Sequence, residues 1–485
     1  MEKSKYFSDK YYDLWNSDVQ AQIDADIEKN RKASGSWQLE NIAPGSGVKA
    51  EQISHDFVFG AHIFNFDQLG DDEANAKYKE LYGTLFNSAT IAFYWKQLEL
   101  EEGKPRFAAE YRDSAEFWNN CSNPKEQPHW RRPATDPVVD FCVKKGIRLH
   151  CHPLVWGNYR WMIPDWLISQ IPLDELSKFN FTRGEKSGIL VSDAAKECHG
   201  GMTANEWADK YPEYTAKINT LMAKRIMEIA LRYGDRIDSY DVVNESATDF
   251  GLGVQVPGER YCKSWYGPMP GDYTYRAFKI AESVIPGFAK LNINDYNMSD
   301  AYLNQTVDLL KRGCKIDIMG AQMHLFDPQV CLDIADGTSD RESPAKVYEK
   351  FNRLGKAGLP IHLSEITITA PNNDARGQEI QAVITRNLYR LWFSLAPMMG
   401  ITWWNVVDDC GAPGEPAVSG LYSKKMAPKP AAEVLQDLIN NQWKTRLELA
   451  ADGEGKVSFR GFKGKYRLSW CDRNGNAVEK IVHLQ

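Results

Sequence analysis

Apolar positions gather into eight short runs, at 57–62, 86–93, 147–155, 237–244, 287–293, 316–322, 360–366 and 400–405. Each run is separated from the next by enough chain for a helix. The segment from Ile218 to Arg232 is such a helix, with Leu221, Ile226 and Ile229 toward one face and Tyr233-Gly234 as its stop. Eight strands alternating with helices predict an α/β chain folded as a (β/α)8 TIM barrel. Before the barrel, Leu14, Trp15, Val19, Ile23 and Ile27 predict an amphipathic helix over 11–31. Ser36 to Leu39, the turn signals Pro44-Gly45 and Ser46-Gly47, and Val48 onward then predict a small β excursion. After Trp443 the pattern changes to alternation, over 446–449, 456–460, 466–470 and 478–484, with turns at Asp452-Gly453 and Asn474-Gly475. The expected organisation is an N-terminal helix and β extension (1–55), the barrel (56–442) and a small β appendage (443–485). The appendage reads as a packing element, with a sugar-binding module as the sharper alternative.

Two spacings exceed simple loops: 108–135, rich in Trp, Asn and Pro, and 167–212, with charge and Gly. Both are expected on the strand-end side, where long ordered loops often shape a cleft.

Composition narrows the function classes. Hydrophobic residues at 43% and charged residues at 25% are ordinary for a folded domain. A net charge of −7 argues against nucleic acid as partner. No stretch approaches the roughly 20 apolar residues of a membrane helix, so no membrane is expected. The first residues, Met1 to Ser8, contain no apolar signal core, so either the protein stays in the cytoplasm or an export signal has been removed. The nine cysteines have neither metal-ligand spacing nor a disulfide framework, which leans toward a cytoplasmic location. Fifteen Trp and 22 Tyr supply flat apolar faces suited to sugar rings, although most such residues fill cores.

The chemistry enters at the strand ends. The run Ile237 to Asn244 finishes at Glu245, and Pro360 to Ser364 finishes at Glu365. A barrel of parallel strands collects such ends on one face, where distant residues meet. Two carboxylates there suit glycoside hydrolysis: one acid protonates the leaving oxygen while the other carboxylate serves the anomeric carbon. A single Glu after an apolar run is more often a solvated strand end, so the companions matter. They are His152 to Trp156 after the third run, Asn292 to Asn297 at the fifth, Gly320 to His324 at the sixth and Thr402 to Asn405 at the eighth.

Together these motifs resemble glycoside hydrolase family 10, the retaining β-1,4-xylanase family, from about Phe57 to Val434. The specific pieces are Asp241-Val-Val-Asn-Glu245, His-x-Leu-Val-Trp at 152–156, Asn-Asp-Tyr-Asn at 294–297, Gln-x-His at 322–324, and Ser364-Glu365. Pro164-Asp165-Trp166 and Lys429-Pro430-Ala431 follow in the expected order. The resemblance implies that Glu245 is the general acid/base and Glu365 the nucleophile, standing about 5–5.5 Å apart as a retaining pair. It further implies that Asn244 holds the sugar 2-hydroxyl and that His324 orients Glu365. Lys96, His152 and Gln322 would bind hydroxyls, with Trp156 and Trp404 as apolar walls. No cofactor and no metal is implied, and the expected partner is a β-linked oligo- or polysaccharide.

Departures from the family pattern bear on substrate. The Glu-Asn pair that holds a second sugar on the non-reducing side reads Ala92-Phe93, the second Trp reads Ala412, the Asp after the nucleophile reads Thr367, and the His after the Val-Trp pair reads Gly157. The leading expectation is cleavage of β-1,4-xylosidic bonds in xylan or xylo-oligosaccharides by double displacement. An exo-acting β-xylosidase, or a β-glycosidase for another β-linked substrate, is the alternative. A non-catalytic sugar-binding protein is disfavoured because it needs neither glutamate.

Overall fold

The computed structural model describes residues 3–158, 161–171, 204–250, 261–264 and 267–485. Its centre is a closed barrel of eight parallel strands: Val58–His62, Ser88–Ala92, Arg148–His152 continued by Val155–Trp156, Ser239–Asn244, Lys290–Asp295, Ile318–Leu325, Ile361–Ile368 and Met398–Trp403. Closure comes from the eighth strand pairing with the first, Gly400 beside Val58 through Trp403 beside Ala61. Every residue of the first and seventh strands is buried. Helices cover the outer face and side chains fill the interior, so these strands read as continuous apolar runs.

Strand ends differ from the sequence reading in the direction that matters for the site. The sixth and seventh strands run on to Leu325 and Ile368, because Met323, Leu325, Ile366 and Ile368 continue the buried set. His324 and Thr367 therefore sit in paired strands rather than in loops, directly opposite one another. The helix predicted from Ile218 starts at Pro212, where proline occupies the first turn without costing a backbone donor, and runs to Tyr233.

The single helix expected over 11–31 is two helices, Asp9–Leu14 and Ser17–Arg31. Asn16 causes the break: its side chain accepts the Val19 N–H at 3.0 Å and caps the second helix. Ile23 and Ile27 are buried as the spacing predicts, while Leu14 faces solvent.

Strands at the two chain ends share sheets. Lys32–Gln38 pairs antiparallel with Lys456–Phe462, and Gly47–His55 lies between Arg446–Ala450 and Gly464–Cys471, with Ala477–Leu484 at the edge. Leu39, Val48, Val457, Tyr466, Leu468 and Trp470 form a second, smaller core. About 40 residues make a marginal core by themselves, and the N-terminal strands enlarge it. This β unit meets the barrel where strands begin: His483 Nε2 lies 2.8 Å from Asp56, just ahead of the first barrel strand. Arg148, opening the third, donates to the carbonyls of His55, Asp56 and Phe57. The strand C-terminal ends are left to the loops.

The 108–135 segment folds compactly over that C-terminal face, with the short helix Ala115–Asn119 and Trp118 buried against His129 and Trp130. Of the 167–212 segment, residues 172–203 lie outside the described residues. Among the described residues no helix is long and apolar enough to cross a membrane.

Candidate active site

The C-terminal strand ends surround a cleft of about 680 Å³. Glu245 follows the fourth strand, with its backbone in the left-handed region at φ 51° and its N–H bonded to the Asn294 carbonyl at 2.8 Å. A non-glycine residue there is uncommon and costs backbone energy, a cost that concentrates at functional sites. Glu365 lies within the seventh strand and is 4% exposed.

A relay of amides joins the two carboxylates. Gln322 Nε2 donates to Glu245 Oε1 at 3.1 Å and to Asn244 Oδ1 at 3.3 Å. Asn294 Nδ2 donates to the same Asn244 oxygen and to Glu365 Oε1, both at 2.9 Å. Ser364 Oγ fixes the Asn294 amide by donating to its Oδ1 at 2.6 Å, so only the nitrogen can face Glu365. Asn244 is fixed in turn. Its oxygen accepts two donors, which turns its amide nitrogen to the cleft it lines.

Histidines flank Glu365 on two sides. His324 Nε2 stands 3.4 Å from Glu365 Oε2, its ring stacks on Phe326 at 4.4 Å, and its Nδ1 is 2.9 Å from Thr367 Oγ1. The hydroxyl at Thr367 thus occupies the place where an acidic partner would stand. His152 Nε2 is 3.7 Å from Glu365 Oε1 while its Nδ1 bonds Asp241 Oδ2 at 2.8 Å. Asp241 also takes His150 Nε2 at 2.9 Å. Burial alone would raise the Asp241 carboxyl, but the two imidazoles outweigh it and hold the group well below its usual range.

Trp156 and Trp404 line the cleft, and the Trp404 ring meets His152 edge-on at 5.5 Å. Glu415, from the loop that also carries Ala412, anchors this wall. It accepts from the Ala412 N–H at 2.8 Å, Asn405 Nδ2 at 2.9 Å, and Arg131 Nη1 and Trp404 Nε1 at 3.3 Å. Burial opposes ionisation of Glu415, yet Arg131 and these donors keep its pKa below the ordinary value.

Eight of the nine residues singled out in the sequence line this one cleft: Glu245, Glu365, Asn244, His324, His152, Trp156, Gln322 and Trp404. Lys96 does not. It sits on the short helix Trp95–Leu98 and its ammonium is drawn to Asp165 at 2.5 Å. Ala92 and Phe93 face away as well; Phe93 is fully buried with its ring 5.5 Å from Tyr233, and Tyr94 takes the cleft-facing place. Sequence reasoning gave no role to Asn294, Tyr94, Glu415 or the Arg131-Arg132 pair. Asn294 was visible as part of a strand-end motif, whereas the arginines belong to an irregular loop with no periodic signal. Among the described residues no group of three or more His, Cys, Asp or Glu side chains could hold a metal ion.

The model of Glycosyl hydrolase family 10 matches residues 50–438. Among curated proteins, the chain is 23% identical over 457 residues to "Endo-1,4-beta-xylanase C" of Paenibacillus barcinonensis, covering 87% of this chain and 34% of that protein. It is 26% identical over 298 residues to "Endo-1,4-beta-xylanase A" of Halalkalibacterium halodurans, covering 58% of this chain and 63% of the relative. The chain thus spans between a third and two thirds of the length of these relatives. Among solved structures, native xylanase 10B from Thermotoga maritima superposes with a TM-score of 0.53 at 17% identity, over 80% of this chain and 96% of that one. At that identity the likeness speaks for the fold, a (β/α)8 barrel.

Proposed function

The chain belongs to glycosyl hydrolase family 10, and from that premise we propose that it hydrolyses β-1,4-xylosidic bonds by double displacement, with Glu365 as nucleophile and Glu245 as acid/base. The observation that carries this reading is the amide relay between the two carboxylates. Glu365 lies deep, with Asn294 donating to one oxygen and a histidine beside the other, surroundings that suit a carboxylate. Glu245 stands at the mouth, half-buried, where a leaving group departs and water enters.

In the first step a Glu365 oxygen attacks the anomeric carbon as the glycosidic bond breaks, and the leaving oxygen takes the proton from Glu245. The product is a glycosyl ester on Glu365. In the second, Glu245, now a carboxylate, takes a proton from water, the resulting oxygen attacks the same carbon, and the ester bond breaks. Two inversions retain the configuration. Charge development on the ring strengthens a hydrogen bond to the sugar 2-hydroxyl, which the cleft-facing amide nitrogen of Asn244 is placed to donate.

Leaving-group dependence tests the assignment. Glu245→Ala should lose about 100- to 10,000-fold in kcat/KM on poor leaving groups, keep most turnover on activated aryl xylosides, and regain turnover with azide. Equal loss on all substrates without azide rescue would overturn it. The products from xylan distinguish mixed oligomers from single released residues, the exo-acting alternative.

A further inference from the structure

Arg132 is a cation in the cleft wall, 7% exposed, with no carboxylate in ion-pair range among the described residues. Its guanidinium lies 3.6 Å over the Tyr94 ring and 5.1 Å from the Phe64 ring. Among the described residues the only hydrogen bond of its guanidinium is from Nη1 to the neighbouring Arg131 carbonyl at 2.9 Å, and its buried Nε has no partner. Arg131 also leaves its Nε unpaired, but both of its Nη groups are spent, on Glu415, Asn405 and His62. A buried arginine that only braces the fold looks like Arg225, whose Nε and Nη2 go to the carbonyls of Leu154, Phe93 and Pro153. Burial draws the Arg132 pKa down to about 10, which leaves it charged at neutral pH. A buried charge without a partner is costly, and guanidinium donors in a fixed fork match an oxyanion.

Position says where that oxyanion sits. Tyr94 lies 5.5 Å from the His152 ring, and His152 stands 3.7 Å from Glu365. Arg132 is therefore two side chains removed from the reacting centre, on the wall built by the first three strands. Ala92 and Phe93 leave that wall without the carboxylate and amide that would hold a second sugar. We infer that Arg132 binds an oxyanion, a uronate carboxylate or a sulfate ester, carried on the glycone-side sugar next to the reacting one, and so selects acidic β-glycans. The inference rests on the proposed glycosidase activity.

Three aryl β-xylobiosides test it: unsubstituted, bearing a glucuronosyl branch on the terminal xylose, and bearing a sulfate ester there. The wild-type enzyme should prefer one acidic substrate over the neutral one by about tenfold or more in kcat/KM, equivalent to about 1.4 kcal/mol, and the preference should shrink as salt is raised. Which acidic substrate wins identifies the anion. Arg132→Gln should bring the ratio to near one and Arg132→Lys should keep part of it. A bracing residue would lower all three substrates by one factor, leaving the ratio unchanged. Equal turnover of neutral and acidic substrates by wild type, or a preference that survives Arg132→Gln, overturns the inference alone. No turnover of any of the three removes the glycosidase reading and this inference with it.

Discussion

Removing the Asn244 amide is the sharpest way to separate catalysis from scaffolding in this site. Asn244 Oδ1 accepts from Asn294 Nδ2 and Gln322 Nε2 at 2.9 and 3.3 Å, leaving the amide nitrogen for the substrate. In Asn244→Ala both former donors keep an acceptor, Glu365 for Asn294 and Glu245 for Gln322. Each amide keeps one N–H on its carboxylate while the other is left facing the space that the Asn244 side chain vacates beside the cleft, where water can take it, so the cost to folding should be modest, about 1 kcal/mol. The cost to catalysis should be larger, because a hydrogen bond to a group gaining charge is worth about 1.5–3 kcal/mol, or roughly 10- to 150-fold in kcat/KM. The assay is kcat/KM on an aryl β-xyloside and on its 2-deoxy counterpart. The variant should lose roughly 10- to 150-fold on the first and less than about threefold on the second, since the 2-deoxy sugar has nothing for Asn244 to hold. Equal losses on both would show that Asn244 shapes the site without touching the 2-hydroxyl, and the reasoning would fail.

Acid should unfold the protein by way of its interior histidines. Burial holds His62 well below its ordinary pKa, His362 at about 3 and His55 at about 4, so all three stay neutral in the fold while the unfolded chain protonates near 6.5. Their contribution is complete above that value and is lost as pH falls from about 6.5 toward the depressed folded values, at roughly 2 kcal/mol per histidine between pH 7 and 5. Urea unfolding at the two pH values should show the drop and His362→Gln should reduce it by roughly 2 kcal/mol; no change in slope would refute the assignment. Glu415→Gln should destabilise by about 2–4 kcal/mol, because Arg131, 2% exposed, loses its counter-charge while the glutamine oxygen retains part of the hydrogen bonding. A change below about 1 kcal/mol by chemical denaturation would refute it. Extending a neutral aryl xyloside to the xylobioside should raise kcat/KM by less than about a hundredfold, as two absent hydrogen bonds are worth about 0.5–1.5 kcal/mol each. A thousandfold gain would show that other residues hold the second sugar.

Much of this was legible because barrel strands announce themselves. Runs such as Ile361–Ile368 are buried on both faces, and Glu365 within that run meets the polar residues of the neighbouring strands at the barrel mouth. Less legible were contacts made by side chains that no periodicity constrains. Lys96 matches a motif position, yet Asp165, about 70 residues away, decides where its ammonium goes. The break at Asn16 depended on local capping chemistry that a moment-like pattern of apolar residues hides. The shared sheets of the chain ends required pairing Ser36 with Ser458, a non-local register that strand patterns at either end do not encode. Arg132 was hidden for a related reason: its burial depends on Tyr94 and Phe64, brought to it from two barrel strand ends.

The most direct test of the central claim is to trap the glycosyl-enzyme. Incubation with an activated 2-fluoro β-xyloside, which slows the second step more than the activated first, followed by proteolysis and peptide mass spectrometry, should place one added sugar on Glu365. Glu365→Ala should take up none. A sugar attached to Glu245 or to any other side chain, or inactivation without a covalent adduct in an enzyme that turns over xylosides, would contradict the account.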